Sequence, residues 1–391
     1  MSGMRGAAAV VGIGHTPFHK RGEGPASALR LTLEAVLAAC ADAGIDAREL
    51  DGFVSYANDQ NEGVALAADL GVREVRWSTM VWGGGGGGVA AAVNAAAAAI
   101  AAGQAETVVV YRGITEADDG RGSYGKGHFP PLLHDHGVLT PVQICALRTQ
   151  RMIEVDGVPP SALEALVAAD YRHASTNPVA AGRDRALDHE TYADARWISE
   201  PLRLFDCSRE NDAAGAVVLT TAERARGLAT TPAYVLSGVQ GAARGWCESA
   251  ENDEPYTIAG FHPAMVDRLW SDAGVKPGEV DVVQVYENFS GPAVAALIDL
   301  GLCPPGPAAG EFMTVENLSA PDGRLPINTA GGNIAEGFVH GIGLVLEAVR
   351  QIRGTSANQV PGARSSLLLG GPMAPLVSAT LFGSEEMLGK R

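Results

Sequence analysis

Apolar positions along this chain fall into short and long runs. The short ones, among them Ala7 to Ile13 and the stretches ending in VVVYRG and SSLLLGG, have the length and pattern of buried strands. The longest, Val89 to Ala102, is built almost entirely from alanine around Asn94. It is shorter than the roughly 20 residues a membrane span requires, so it predicts a helix buried on all sides, with small side chains that let neighbouring backbones approach. Six consecutive glycines, Gly83 to Gly88, open that helix.

A gapless internal repeat organises the pattern. Residues 41–58, ADAGIDARELDGFVSYAN, align onto residues 271–288, SDAGVKPGEVDVVQVYEN, with an Asp-Ala-Gly, a Glu, an Asp, a Tyr and an Asn at equal spacing. Each copy reads as a helix end, a glycine cap, a short loop and a strand. A glycine-rich segment, a long helix and a strand follow each copy: WGGGGGGVAAAVNAAAAAIAAGQAETVVVYRG in the first half, NTAGGNIAEGFVHGIGLVLEAVRQIRG and then ARSSLLLGG in the second. Strands alternating with such helices predict α/β layers, and the duplication predicts two similar βαβ-type halves packed together. We divide the chain into a first half over 1–112 plus 200–230, an inserted lid or loop region over 113–199, and a second half over 231–391. The insertion begins rich in Asp, Gly, His and Pro and continues with helical spacing from Thr140 to Asn177, which suits a cap over the strand ends or an oligomerisation arm.

At 391 residues and 46% hydrophobic, the chain is long enough for two such halves around a large core. Its formal charge of −16, from 29 basic and 45 acidic residues, argues against general binding to nucleic acid or anionic membrane. The five cysteines, Cys40, Cys145, Cys207, Cys247 and Cys303, are widely spaced without a CxxC pair, which suggests neither a disulfide framework nor a zinc site. With an apolar strand so close to the start and no long apolar leader, a cytoplasmic enzyme is expected. His128, His134 and His136 cluster in the insertion, but their spacing matches no metal geometry, and a solvated or hydrogen-bonded set is the plainer reading.

The duplicated halves, the glycine loop before a buried helix and the segment PLRLFDCSRENDAAGAVVL together resemble the thiolase superfamily. More narrowly, the chain resembles the branch that includes lipid-transfer proteins, sterol-carrier thiolases and steroid side-chain aldolases. The resemblance runs from AAAVVGIGHTPF through HGVLTPVQ, VYENF and LPINTAGGNIAEGFVHGIG to EAVRQIRGTS. It implies a thiolase fold, layered α/β/α/β/α, with an inserted loop domain. It also implies a homodimer, an acyl-CoA substrate with coenzyme A as part of that substrate and no cofactor held by this chain, and a small OB-fold partner, possibly zinc-bearing.

The departures from the family pattern bear on the chemistry. Counted back from Ile100, the family's nucleophilic cysteine falls on Gly86; the asparagine of its Asn-Glu-Ala-Phe motif falls on Tyr286, the histidine of its Gly-His-Pro motif on Phe338, and its second cysteine on Leu368. Thioester exchange passes through an acyl-cysteine, which glycine cannot form. Retro-aldol cleavage of a β-hydroxyacyl-CoA holds no acyl group on the protein. It requires a base for the β-hydroxyl, donors for the enolate oxygen and an acid for Cα. The aldolases of this branch are similar at Tyr286, which we take as base or proton shuttle, with the reservation that a phenol would need a depressed pKa or a strong partner to act as a base. His340 is the second catalytic candidate. Gly85, Gly86 and Gly87 form a candidate oxyanion or substrate site, and His136, Phe338 and Gly371 are further substrate-contact candidates. The glycine run also reads as simple close packing. Two other functions stay open: a non-catalytic acyl-CoA-binding scaffold, which Phe338 favours, and an acyltransferase using Cys207 or Cys303.

Overall fold

The computed structural model describes residues 3–57, 59–82, 85–115, 133, 135–243, 257–374 and 376–389. Among the described residues the main sheet has ten strands, the short His19–Lys20 beside β5 and nine on a continuous path: β1 (Ala8–His15), β2 (Gly52–Tyr56), β3 (Trp77–Val81), β4 (Thr107–Ile114), β5 (Asn211–Thr221), β6 (Ala233–Gly241), β7 (Val282–Val285), β8 (Ser365–Gly370) and β9 (Val377–Gly383). Their order is β7-β8-β9-β6-β1-β5-β4-β2-β3. Read outward from the centre, β1-β5-β4-β2 mirrors β6-β9-β8-β7, so the sequence repeat is a repeat of topology. β2 runs parallel to β3 and β4, and β7 runs parallel to β8. The halves join where Ala9 and Val10 pair with Tyr234 and Ala233.

The shared Gly, Glu and Asp residues do the same work in both copies. Helix α1 (Ala28–Ala43) ends on Gly44 at φ 67°, and helix α6 (Pro263–Ala273) ends on Gly274 at φ 62°. Both are left-handed caps, which glycine adopts without a Cβ penalty. Glu49 then accepts the Asp46 N–H at 3.2 Å and Glu279 the Lys276 N–H at 2.8 Å, closing the short turn before each strand. Asp51 accepts the N–H groups of Glu106 and Thr107 at the start of β4; Asp281 accepts those of Arg364 and Ser365 at the start of β8.

Alternation along the strands separates two cores. Val10, Val54, Val108, Val235 and Leu368 face inward onto α3 (Gly88–Ala101) and α8 (Ile342–Arg353), while Val11, Phe53, Val109, Leu236 and Leu367 face outward. Helix α1 covers the outer face of the first half and α6 that of the second. The layers therefore run α/β/α/β/α, as expected. Helix α3 is buried nearly all round, Ala98 being exposed. Its single polar residue, Asn94, donates to the carbonyls of Val239 and Ala379 and accepts from Thr380, tying the first half's helix to the second half's strands. In the insertion, α4 (Pro141–Glu154) and α5 (Ser161–Thr176) form over the helical stretch; both pack against α7 (Ser290–Asp299) of the second half. No helix among the described residues is long and apolar enough to cross a membrane.

A candidate active site where the halves meet

Tyr286 follows directly on β7, its N–H donating to the Leu369 carbonyl at 2.8 Å, and its side chain turns into the central layer, 3% exposed. There the ring lies against the glycine turn that opens α3. A Cβ at position 86 would fall within the Tyr286 ring, and one at Gly341 would come within 2.7 Å of its Cδ2. The Gly86 N–H lies near enough to the phenol to favour its ionised form. Tyr286 thus fills the space into which a side chain at 86 would project. Gly87 and Gly371 press on each other, and a Cβ at Gly88 would meet Tyr56 Cβ at 2.5 Å. Close packing thus accounts for Gly86, Gly87 and Gly88. Gly85, at φ 51°, needs glycine for its backbone.

Beside Tyr286 stand Phe338 and His340. The Tyr286 and Phe338 ring centroids are 6.4 Å apart, and Phe338 meets His340 edge-on at 5.1 Å. His340 occupies the left-handed region at φ 46°, immediately before the Gly341 cap of α8. Arg112 Nε donates to its Nδ1 at 3.0 Å, and Arg112 Nη1 pairs with Asp59 at 2.9 Å, both side chains being buried. Arginine can only donate, so Nδ1 accepts and the neutral ring carries its proton on Nε2. Burial, reinforced by the Arg112 charge, holds the imidazole well below its usual pKa.

The phenol shifts the other way. Burial, with the Glu287 carboxyl adding to it, raises Tyr286 above its ordinary value, while the Gly86 N–H offsets only part of this. The depressed pKa that a tyrosinate base would need is absent. Behind Tyr286, Glu287 accepts from the Ile334 N–H at 3.1 Å and from Asn333 Nδ2 at 3.0 Å. Its buried neighbour Asp170 is raised by burial and by the Glu287 charge, and burial raises Glu287 as well, so the pair keeps a proton at neutral pH.

The structure thus gathers Tyr286, His340, Phe338, Gly85, Gly86 and Gly87, with Gly371 touching the group through Gly87. It leaves His136 exposed on the turn before α4, where no contact among the described residues joins it to the cluster. His128, His134 and Cys247 lie outside the described residues. Burial pushes the thiols of Cys207 and Cys303 up to about 12, which keeps both protonated at neutral pH and removes their value as nucleophiles. Leu368, at the family's second cysteine, is fully buried and apolar. Sequence reasoning missed Arg112, Asp59 and the pair Asp170 and Glu287. The one available signal was a lone arginine inside the apolar run VVVYRG.

Comparison with known proteins identifies the family. Residues 252–380 match the family described as Thiolase C-terminal domain-like. The chain is 34% identical to the 17-hydroxy-3-oxo-4-pregnene-20-carboxyl-CoA lyase of Mycobacterium tuberculosis over 95% of its own length and 98% of that protein's. It is also 34% identical to the steroid side-chain-cleaving aldolase of Thermomonospora curvata, covering 99% of this chain and 100% of that one. Among solved structures, the Ltp2-ChsH2(DUF35) aldolase superposes with a TM-score of 0.89 at 33% identity, covering 98% of this chain and 99% of its own. A monomeric SCP2-thiolase-like protein from Mycobacterium smegmatis, at 19% identity and a TM-score of 0.73 over 97% of this chain and 78% of its own, shares the fold. The chain belongs to the thiolase superfamily, in its steroid side-chain aldolase-like branch.

Proposed function

We propose that this protein is a carbon–carbon lyase that cleaves a β-hydroxyacyl-CoA by a retro-aldol reaction, on a steroid or related lipid side chain. The observation that carries the reading is the Tyr286 ring seated where an acyl-cysteine would have to stand. The chemistry is balanced without a co-reactant: the β-hydroxyl gives up its proton, the Cα–Cβ bond breaks, its electrons enter the thioester as an enolate, and Cα takes a proton. A neutral, raised-pKa phenol suits the part of shuttle, passing its own proton toward Cα and regaining one from the β-hydroxyl. His340 Nε2–H suits the part of donor to the enolate oxygen, and Phe338 that of an apolar wall between them. No oxidant, metal or cofactor of the chain's own is required by this stoichiometry, and coenzyme A enters with the substrate. The named substrate of the mycobacterial relative fits this class, carrying a 17-hydroxyl and a CoA thioester on carbon 20.

We also propose a homodimer and a small partner protein of OB-fold type, possibly zinc-bearing. Support for the first is the outer edge of β3, which ends the sheet with Met80 and Trp82 exposed. A Met80→Glu change is expected to shift the dimer toward monomer in analytical ultracentrifugation. Support for the second is the likeness to the Ltp2-ChsH2(DUF35) aldolase, whose name joins two components. Cys40, Cys207 and Cys303 carry free thiols, which favours a reducing cytoplasm.

One observation favours a second reading. Phe338 stands between Tyr286 and His340 with no proton to give, and a scaffold that binds acyl-CoA without turnover would tolerate it. Incubation of the protein, with and without its partner, with secondary and tertiary β-hydroxyacyl-CoA esters separates the two by mass spectrometry. A shorter acyl-CoA and a ketone or aldehyde, formed without added coenzyme A, are expected. Binding without product would establish the scaffold, and product only on addition of coenzyme A would establish thiolysis.

A further inference from the structure

His340 is held at its ring by Arg112 and at its carbonyl by Tyr56, with Asp59 behind the arginine. Arg112, in β4, donates through Nε to the ring Nδ1 at 3.0 Å. Asp59 anchors that guanidinium at 2.9 Å and also accepts the Gly113 N–H and the Asn61 side chain, so its carboxylate is well supplied. Tyr56, at the end of β2, donates its hydroxyl to the His340 carbonyl at 2.9 Å. The backbone so held is left-handed, a conformation that costs a non-glycine residue free energy and persists where its surroundings enforce it.

We propose that Asp59, Arg112 and Tyr56 are positioning residues that fix His340 in one tautomer and one backbone conformation, making it a permanent Nε2–H donor and never a base. The proposal rests on the retro-aldol reading for its purpose, though not for its physics. A histidine left to itself near neutral pH interconverts between two tautomers and a cation, and only one of these three forms offers a neutral donor at Nε2. An arginine at Nδ1 removes the other two: the guanidinium cannot accept a proton from the Nδ1–H tautomer, and its charge opposes the imidazolium. Among the described residues, the charged or titratable groups facing the ring are Arg112 from β4, Asp59 behind it and Tyr56 from β2, with Tyr286 beyond Phe338. Asp59 supplies the countercharge that lets an arginine sit buried there. The dividend for catalysis is a donor whose state does not change across physiological pH.

The test compares three variants with the wild-type holo-assembly. Asp59→Asn/Arg112→Gln removes the buried pair together and so leaves no unpaired charge; Arg112→Lys keeps the charge and loses the fork geometry; Tyr56→Phe releases the carbonyl. Ring 15N spectra of histidine-labelled protein, with the His340 signals assigned by their loss in His340→Gln, are expected to show Nε2 protonated and no titration in the wild type. In the double variant the ring is expected to exchange between tautomers and to titrate, turnover to fall about 10²-fold, as for a misplaced catalytic group, and the pH–rate profile to gain a new ionisation. Arg112→Lys is expected to restore part of the turnover and abolish that ionisation. A His340 ring that remains Nε2-protonated and non-titrating in a folded double variant would overturn the proposal. The spectra decide this even if the wild type proves to have no lyase activity, so the two readings fail separately.

Discussion

Tyr56 and Tyr286 stand at the same position of the repeat, each just at the end of an equivalent strand, and each reaches across to the other half. Tyr56 meets the backbone of His340, two residues before the start of α8; Tyr286 meets the backbone of Gly86, two residues before the start of α3. The symmetry stops at the sign of the contact. Tyr56 donates its proton to a carbonyl, whereas Tyr286 packs its ring on Gly86 and faces an N–H, which cannot take a proton from it. One tyrosine is thereby committed to structure, and the other is the one for which we propose a catalytic part. The outer edges of the halves differ too. β7 is capped by the chain at 326–328, with Val283 bonded to Pro326 and Asn328, while β3 ends the sheet among the described residues. Duplication has produced two frames that differ, among the described residues, in how their outer edges end and in what their equivalent tyrosines meet.

Substitution at the shared point of contact should disturb the comparison most. Gly86→Cys puts a side chain into the Tyr286 ring, and overpacking of this kind costs about 1–3 kcal/mol or more. We expect a large loss of thermal stability and of turnover, with stability recovered in Gly86→Cys/Tyr286→Asn; melting curves of the single and double variants measure the coupling. Next in size, Tyr56→Phe should cost about 1 kcal/mol in chemical denaturation, the net worth of one hydrogen bond.

The halves also differ in buried acids. Burial raises Glu336, beside the turn before α8, to about 8. Between its unfolded value and this one the folded state binds the extra proton, so stability falls as pH rises through that window. Glu336→Gln should flatten the fall, seen as a smaller drop in melting temperature between about pH 5 and about pH 8. The smallest expected effect is from iodoacetamide at neutral pH. With Cys207 and Cys303 both near 12, turnover should be unchanged, and inactivation would restore the acyltransferase reading.

Much of this architecture was written in the sequence. The repeat gave both halves because each shared residue, from the Gly44 and Gly274 caps to Asp51 and Asp281, serves a local turn or strand start whose requirements are chemical and recognisable. Tyr286, Phe338 and His340 were legible through motif position. The partnership of Tyr286 with Gly86 was not, since two residues 200 apart meet only through packing. Nor was the state of His340, because it depends on Arg112 and Asp59, which reach it from other strands and turns. A free phenol suggests a base with a tuned pKa; burial against a helix start raises that pKa instead.

The most direct test of the account is the rate at which the Tyr286→Phe variant, assembled with its partner, converts a β-hydroxyacyl-CoA into a shorter acyl-CoA. Loss of proton transfer by a placed side chain is expected to cost about 10²- to 10⁴-fold while substrate binding is retained. Turnover at the wild-type rate by a folded Tyr286→Phe variant would contradict the central claim that this tyrosine has taken over the site of the missing cysteine.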